Sequence, residues 1–273
     1  MTSLPSRSIV GGVVLLAWAG CATVAAAQAS PVPLRRAEPP DAGGVFTNAY
    51  YHLAIELLAP PTRDYTWNTE FGGEVDVVDY RRGRVNVLAH YEAVLGREQQ
   101  RFDPVQGNYT LQALGSWRRG RGEVAGFLYH VSRHLGDRQK TFPFFWNTVG
   151  AQFAYRAGFG GWTVDATGRG AWVVARQHID YRATVDGEVS GDRLVRPTVS
   201  VVARAATTEM FVGAPSSARP AQWGYRAELG VRVRGRRALS DVYVAAERRF
   251  DADILTLVPH RAFIVGWRVL SPD

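Results

Sequence analysis

The feature that most constrains this chain is a regular alternation of apolar and polar side chains in many short segments. In residues 84–96 the odd positions are apolar or aromatic: Val85, Val87, Ala89, Tyr91, Ala93 and Leu95. The even positions include Asn86, His90 and Glu92. Successive side chains of a β-strand point to opposite faces of the sheet, so this segment predicts a strand with one apolar and one polar face. Repeated along most of the chain, the pattern predicts an all-β, antiparallel transmembrane β-barrel.

The alternation predicts about twelve strands, and an even number is typical of single-chain bacterial barrels. They lie near residues 49–58, 70–80, 84–96, 107–117, 122–134, 147–157, 162–176, 178–186, 195–206, 222–234, 239–249 and 261–270. Between residues 176 and 194 the pattern blurs, and residues 187–193 look more like a loop than a turn, so ten strands is the alternative count. A soluble β-sandwich, which would bury its apolar face against a second sheet, is the alternative fold.

The amino terminus has the features of a cleaved export signal. A single positive charge at Arg7 precedes an apolar stretch over residues 9–19, and Ala25 and Ala27 form an A-x-A cleavage site. We therefore expect a signal peptide over residues 1–27, a periplasmic leader rich in Pro, Ala and Gly over 28–44, and the barrel over 45–273. Lipidation at Cys21 is an alternative that Trp18 disfavours, because lipoprotein signals usually carry Leu at that position.

Export and charge restrict the location and the partners. The net charge is +7, falling to +6 once Arg7 is removed with the signal, and Lys140 is the sole lysine among the basic residues. Nucleic acid is not an expected partner of an exported protein. We expect an outer-membrane location, with the periplasm as the alternative, and contacts with outer-membrane lipid or lipopolysaccharide. The sequence predicts no cofactor and leaves the oligomeric state open.

The polar faces of the predicted strands carry charges that lipid would not tolerate. Inside a closed barrel these side chains are acceptable if they are paired or hydrated, so we predict that they line the lumen. The predicted lumen charges are Glu74, Asp76, Glu92, Asp165, Arg169, Arg226, Glu228 and Arg232.

One segment, at the end of the fifth predicted strand, resembles known proteins. It carries the motif residues His130, Ser132, His134, Leu135, Gly136 and Asp137. This motif resembles that of an uncharacterised family of bacterial β-barrel proteins of unknown function, whose members have an H-x-S-x-H-L-G-D-E type sequence. Arg138 stands where that motif has an acid. The resemblance implies an outer-membrane barrel and no particular activity.

The His-x-Ser core also resembles the active-site strand of two lipid-cleaving barrel families, outer-membrane phospholipase A and lipid A deacylase. In those families the histidine activates the serine, and a later Asn or Glu orients the imidazole. The resemblance therefore implies His130 as base and Ser132 as nucleophile. By the family spacing the third residue would fall near Phe144, which cannot orient a histidine. Asn147 is the nearest later candidate, and Asp137 is the nearest acid.

Strand parity is an argument against this catalytic reading. Ala125, Phe127, Tyr129 and Val131 look like the apolar set of the strand, which predicts that His130, Ser132 and His134 face the lumen. The lipid-cleaving families instead present their serine outward, to the membrane.

Metal binding is also not expected from the sequence. His130 and His134 would lie about 13 Å apart along an extended strand, too far to share one ion. The remaining histidines are scattered singly, and we expect His52 and His90 to join a lumen hydrogen-bond network. Two functions remain: a non-enzymatic barrel, either a narrow pore for small polar solutes or a structural component, and a lipid-directed acyl hydrolase that uses Ser132 and His130.

Overall fold

Twelve antiparallel strands form one closed barrel. The computed structural model describes residues 43–136, 143–213, 219–255 and 257–272, so the predicted signal and almost all of the leader lie outside the described residues. No helix in the described ranges is long and apolar enough to cross a membrane. The strands, in chain order, are β1 (Gly44–Val45), β2 (Ala49–Ala59), β3 (Trp67–Asp79), β4 (Arg84–Gly96), β5 (Asp103–Arg119), β6 (Gly122–Leu135), β7 (Phe144–Phe159), β8 (Trp162–Gln177), β9 (Tyr181–Arg196), β10 (Val199–Val212), β11 (Gln222–Arg234), β12 (Leu239–Arg249) and β13 (His260–Leu270).

Closure is made by the pairing of β13 with β2, while every other barrel strand pairs with its neighbours in sequence. The two-residue β1 pairs with the end of β3 and lies outside the count of twelve. The predicted barrel with twelve strands is therefore confirmed, and the ten-strand alternative is wrong. A closed sheet also has no second sheet against which to pack, so the sandwich is wrong as well.

The ten-strand alternative fails because residues 187–193 lie within β9 and form no loop. Gly187 pairs directly with Gly168 of β8, and the ladder continues without a break to Arg193. The alternation is present in this strand, with Val185 and Val189 exposed and Asp186 and Glu188 on the opposite face. Glycine interrupts the apolar pattern between the two valines, which is why the sequence looked like a loop.

The two ends of the barrel differ. At one end the strands are joined by tight turns at residues 80–83, 120–121, 160–161, 197–198 and 235–238. Gly120, Gly160 and Gly161 have positive φ there, which a glycine adopts without steric cost. At the other end the connections are mostly longer, at residues 60–66, 97–102, 136–143, 178–180, 213–221 and 250–259. Bacterial barrels have short periplasmic turns, so we refer to the end with the longer loops as the outer end.

The loop over residues 250–259 closes part of the outer end. Phe250 and Ile254 are almost fully buried, and each packs into an apolar cluster on the inner face of the barrel. Asp251 accepts hydrogen bonds from Tyr181 Oη at 2.9 Å and from Arg219 Nη1 at 2.7 Å. Burial opposes the charge of Arg219, but hydrogen bonds to Asp180 and Asp251 outweigh it and raise the pKa of the guanidinium.

In most strands every second residue over the middle of the strand faces outward, as the alternation predicts. The odd-numbered residues of β4, β5, β7, β11 and β13 are the exposed ones over the middle of each strand, and they include Leu111, Phe153, Leu229 and Val265. These apolar side chains form the surface that meets lipid in a membrane.

Strand β6 is the exception, and the predicted parity there is wrong. Ala125, Phe127 and Val131 are buried inside the barrel, whereas Val124 and Leu128 are more than half exposed on the outside. The interior accepts these apolar residues because Phe127 packs on Leu114 and Ala171, and Val131 packs on Phe250 of the loop. Each face of β6 is partly apolar, so alternation alone does not assign its direction.

Candidate functional site

Four polar side chains form a cluster on the outer surface of β6 and β7. His130 and Asn147 are direct partners in the β6–β7 ladder, and Ser132 follows two residues after His130. The Nδ1 atom of His130 lies 2.6 Å from Oδ1 of Asn147, and the Oγ atom of Ser132 lies 2.8 Å from Nε2 of His134. The four residues, His130, Ser132, His134 and Asn147, are called the outward cluster below.

The outward cluster faces away from the lumen, and the expectation that His130, Ser132 and His134 point inward is therefore wrong. Ser132 shares its parity with the exposed Leu128 and pairs directly with the exposed Tyr109 of β5. The other parity of β6 is buried and includes Glu123 and Arg133. These two charged residues were the signal in the sequence, because a charge in this strand is tolerated only on the lumen face.

The contact with Asn147 determines which nitrogen of His130 carries hydrogen. An amide oxygen only accepts hydrogen bonds, so Nδ1 of His130 donates to Asn147 Oδ1. In the neutral ring the other nitrogen, Nε2, is then an acceptor, as a general base requires. Ser132 is flanked at i−2 and i+2 by His130 and His134, and in this conformation its hydroxyl contacts His134.

Aromatic side chains surround the outward cluster on both sides. Neighbouring strands place Phe71, Tyr91, Tyr109, Ser132 and Phe145 in one row of directly paired residues. The ring centroids lie 5.2 Å apart for Phe71 and Tyr91 and 4.7 Å apart for Tyr91 and Tyr109. This aromatic row lies towards the outer end of the wall, where barrels carry interfacial aromatic residues.

The rest of the motif has a structural role where it is described. Leu135 is buried against Phe144 and Ile254. A Cβ atom at Gly136 would lie 1.7 Å from the carbonyl oxygen of Pro104, so only glycine fits at this close approach between β6 and β5. Asp137, the nearest acid in the sequence, lies outside the described residues.

The barrel interior is occupied by ion pairs, and the predicted lumen charges take part in them. Arg84 donates to Asp76 and to Glu123, each at 3.0 Å, and all three side chains are fully buried. Arg226 pairs with Glu228 at 2.7 Å, with Glu247 at 2.9 Å and also with Glu56. The other predicted charges pair as Arg169 with Asp186, Arg232 with Asp241, Arg156 with Asp165, and Arg249 with Glu92, while Glu74 is buried.

Sequence reasoning missed one interior cluster. His52 and His90 are not scattered singly: their rings stack with centroids 5.1 Å apart. Glu70 lies beside them, with its Oε2 atom 3.7 Å from Nε2 of His90. The sequence showed that both histidines lie on the polar faces of their strands, which pointed to the lumen. Their contact with each other depends on the register of three strands, which the sequence did not show.

Comparison with known proteins supports the fold. No family model and no curated protein matches this chain, so the resemblance to the uncharacterised family remains a prediction. The structure is similar to outer-membrane phospholipase A from Escherichia coli, with TM-score 0.50, 11% identity, and coverage of 83% of this chain and 93% of that chain. It is also similar to LpxR from Salmonella typhimurium, with TM-score 0.50, 6% identity, and coverage of 81% and 99%. An outer-membrane channel from Pseudomonas putida F1 matches with TM-score 0.47, 12% identity, and coverage of 86% and 99%. The chain has the fold of an outer-membrane barrel, which indicates an outer-membrane location.

Proposed function

We propose that this protein is an outer-membrane acyl hydrolase that cleaves lipid esters at the lipid-facing surface of its barrel. The observation that carries the proposal is the outward cluster, in which Asn147 contacts His130, two residues before Ser132, on the face that meets lipid. A serine that attacks a lipid ester must face the lipid, and the inward orientation expected from the sequence would have excluded this activity.

The reaction follows from the chemistry of the cluster. Ser132 Oγ attacks the ester carbonyl carbon while Nε2 of His130 removes the hydroxyl proton. The tetrahedral intermediate collapses, the C–O bond to the alcohol breaks, and His130 returns the proton to the leaving alcohol oxygen. Water then attacks the acyl-serine ester by the same route and releases the fatty acid. Asn147 acts as a positioning residue that keeps the proton on Nδ1.

For His130 to act as base, the Ser132 side chain must turn from His134 towards His130. The two histidines lie at i−2 and i+2 on the same face of the strand, so each is about 6.6 Å from Ser132 at the backbone, within side-chain reach. The hydrogen bond to His134 then holds the hydroxyl when no substrate is bound. Hydrogen bonds of catalytic residues often become well aligned only with substrate present.

The substrate class is an acyl ester of an outer-membrane lipid. The aromatic row towards the outer end of the wall lies at the level where acyl chains meet polar groups, and ester bonds are found there. Two lipids of the outer membrane offer this chemistry, a phospholipid and the lipid A part of lipopolysaccharide, and the assay separates them. The solved phospholipase A of similar fold gives precedent for lipid cleavage by an outer-membrane barrel.

The barrel interior gives less support to the non-enzymatic pore. A water-filled channel would leave its lining exposed, whereas Asp76, Arg84 and Asp241 are fully buried. The loop over residues 250–259 also packs its apolar side chains into the outer end. A structural role without catalysis is then the outcome that remains if the enzyme assay fails.

The test measures fatty-acid release by the purified, folded barrel from phospholipid and from lipid A, each in mixed detergent micelles. We expect release from at least one lipid, and we expect Ser132→Ala to lower the rate by at least about 10³-fold. Val149→Ala, another outward-facing truncation two residues beyond Asn147, is the matched control and should keep the rate. Heat-dependent gel migration checks that each variant is folded. If the folded wild type releases no fatty acid, or if S132A keeps its rate, the hydrolase proposal is wrong.

A further inference from the structure

Inside the barrel, three side chains of the types that bind transition metals converge from neighbouring strands. His52 lies on β2, Glu70 on β3 and His90 on β4. One ligand atom from each residue can be chosen so that all three lie within 4.8 Å of one another. The side chain of His90 is only 5% exposed, and that of Glu70 is 18% exposed.

A glycine makes this convergence possible. Gly72 of β3 is the direct ladder partner of His52 on one side and of His90 on the other. A Cβ atom at Gly72 would lie 2.8 Å from Cε1 of His52 and 2.9 Å from Cα of His90. Because Gly72 has no side chain, the space between the two imidazole rings stays open, and the rings stack directly on each other across β3.

Neighbouring groups orient the carboxylate. Asn68 Nδ2 donates to Oε1 of Glu70 at 3.0 Å and to Oε2 of Glu56 at 3.1 Å, so both of its hydrogens are used. Oε2 of Glu70 is then directed towards His90 Nε2, at a distance of 3.7 Å that is longer than a hydrogen bond. Metal ligands are commonly held by such hydrogen bonds from outside the coordination shell.

We propose that His52, Glu70 and His90 bind a divalent transition-metal ion of the zinc type inside the barrel. Two imidazoles and one carboxylate are a common ligand set for such ions. Bonds of about 2.0 Å at tetrahedral angles require ligand atoms about 3.3 Å apart, so small rotations of the side chains bring the three into place. The bound ion ties β2, β3 and β4 together and leaves a fourth position for water. This site faces the lumen on β2, β3 and β4, whereas the outward cluster faces outward on β6 and β7. The metal site therefore does not depend on the proposed hydrolase.

The test uses the purified folded barrel without a histidine tag, stripped with a chelator and titrated with Zn²⁺ in a calorimeter. We expect one equivalent to bind, and Co²⁺ in place of Zn²⁺ should give the visible absorption of a tetrahedral site. His90→Gln and Glu70→Gln should each weaken Zn²⁺ binding by about 10-fold or more. His260→Gln is the matched control, because His260 lies outside the cluster and stacks on Tyr65.

Two results would overturn the site. One is a folded wild-type protein that binds no stoichiometric Zn²⁺, a result that does not depend on how any variant folds. The other is a folded His52→Gln/His90→Gln double variant that binds Zn²⁺ as tightly as the wild type, since the ion would then lie elsewhere.

Discussion

Ser132 lies between two histidines, and in the proposed hydrolase one of them removes its hydroxyl proton. His134 makes the direct contact with Ser132, but His130 is the one held by an amide oxygen. A base needs a fixed tautomer, and the contact between Asn147 and His130 supplies one. Catalysis by Ser132 would therefore depend on these two hydrogen bonds and on the face of the strand that carries them.

Substitution of each histidine separates the two roles. We expect His130→Ala to lower kcat by about 10²–10⁴-fold, because general-base catalysis is lost, and His134→Ala to lower it by less than about 10-fold. The loss of kcat in Asn147→Ala should lie between these two values, because without the amide oxygen the imidazole of His130 keeps its orientation only in part. Steady-state fatty-acid release measures all three. If H134A is the inactive variant and H130A keeps its rate, His134 is the base.

At the scale of the strand, close approaches decide which residues fit. Gly266 of β13 lies beneath Tyr243 of β12, whose hydroxyl donates to Oε1 of Glu56 at 2.6 Å. A Cβ atom at this glycine would lie 2.3 Å from Cζ of Tyr243. The ring would have to move, and its hydrogen bond to Glu56 would be strained or lost.

We therefore expect Gly266→Ala to lower the free energy of unfolding by about 1–3 kcal/mol, the usual cost of overpacking. Gly126→Ala is the matched control, because that glycine lies on an outward face with no atom within 4 Å of the added Cβ. Urea unfolding of both variants in lipid vesicles measures the difference. Equal stability of G266A and G126A would show that Tyr243 adapts without cost.

Buried ion pairs join strands that are distant in sequence. Arg84 of β4 connects Asp76 of β3 with Glu123 of β6, and all three side chains are inaccessible to water. Removing the guanidinium takes the cationic partner at 3.0 Å from both buried carboxylates. Glu123 keeps Arg118 at 3.7 Å, and Asp76 keeps a hydrogen bond from Asn86.

We expect Arg84→Met to lower the free energy of unfolding by about 3–5 kcal/mol, the range observed when one partner of a buried pair is removed. Arg236→Met, at an exposed position in the turn before β12, should change it by less than about 0.5 kcal/mol. The same urea titration tests both. A small effect of R84M would mean that water enters the barrel and solvates the carboxylates.

At the scale of the whole molecule, the interior is packed and the outer end is partly closed. Ion pairs occupy the middle of the barrel, and Phe250 and Ile254 of the loop over residues 250–259 pack into the outer end. The candidate catalytic residues therefore lie on the outer surface of the barrel, and the ion pairs of the interior stabilise the sheet.

This arrangement predicts that the folded protein does not conduct ions. In a planar lipid bilayer we expect no stable open-channel steps from the wild type. Replacing residues 250–259 with a short glycine–serine linker would uncover the outer end but would leave the ion pairs in the middle of the barrel. We therefore expect this variant to show no stable conductance steps either. Stable conductance steps of the wild type would contradict a packed interior and would favour a pore.

Much of the architecture was determined by the sequence itself. Alternation in β4, from Val85 to Leu95, assigns the lipid face without further information, because charged residues occupy only the other parity. The strand number also followed from the spacing of the apolar segments. The motif identified His130 and Ser132 as candidates, and Asn147 was the nearest later candidate for the third residue.

The tertiary structure decided what alternation could not. In β6 both faces carry apolar residues, so apolar alternation leaves its direction open. The charges of Glu123 and Arg133 mark the lumen face, and closure of the barrel, with loop residues packed against Val131, places Ser132 on the outside. His52 and His90 are far apart in the chain, and they meet because the register of three strands places Gly72 between them. Alternation along the sequence shows only which face of a single strand is apolar. Contacts between strands depend on the register and the closure of the whole sheet, which no single segment specifies.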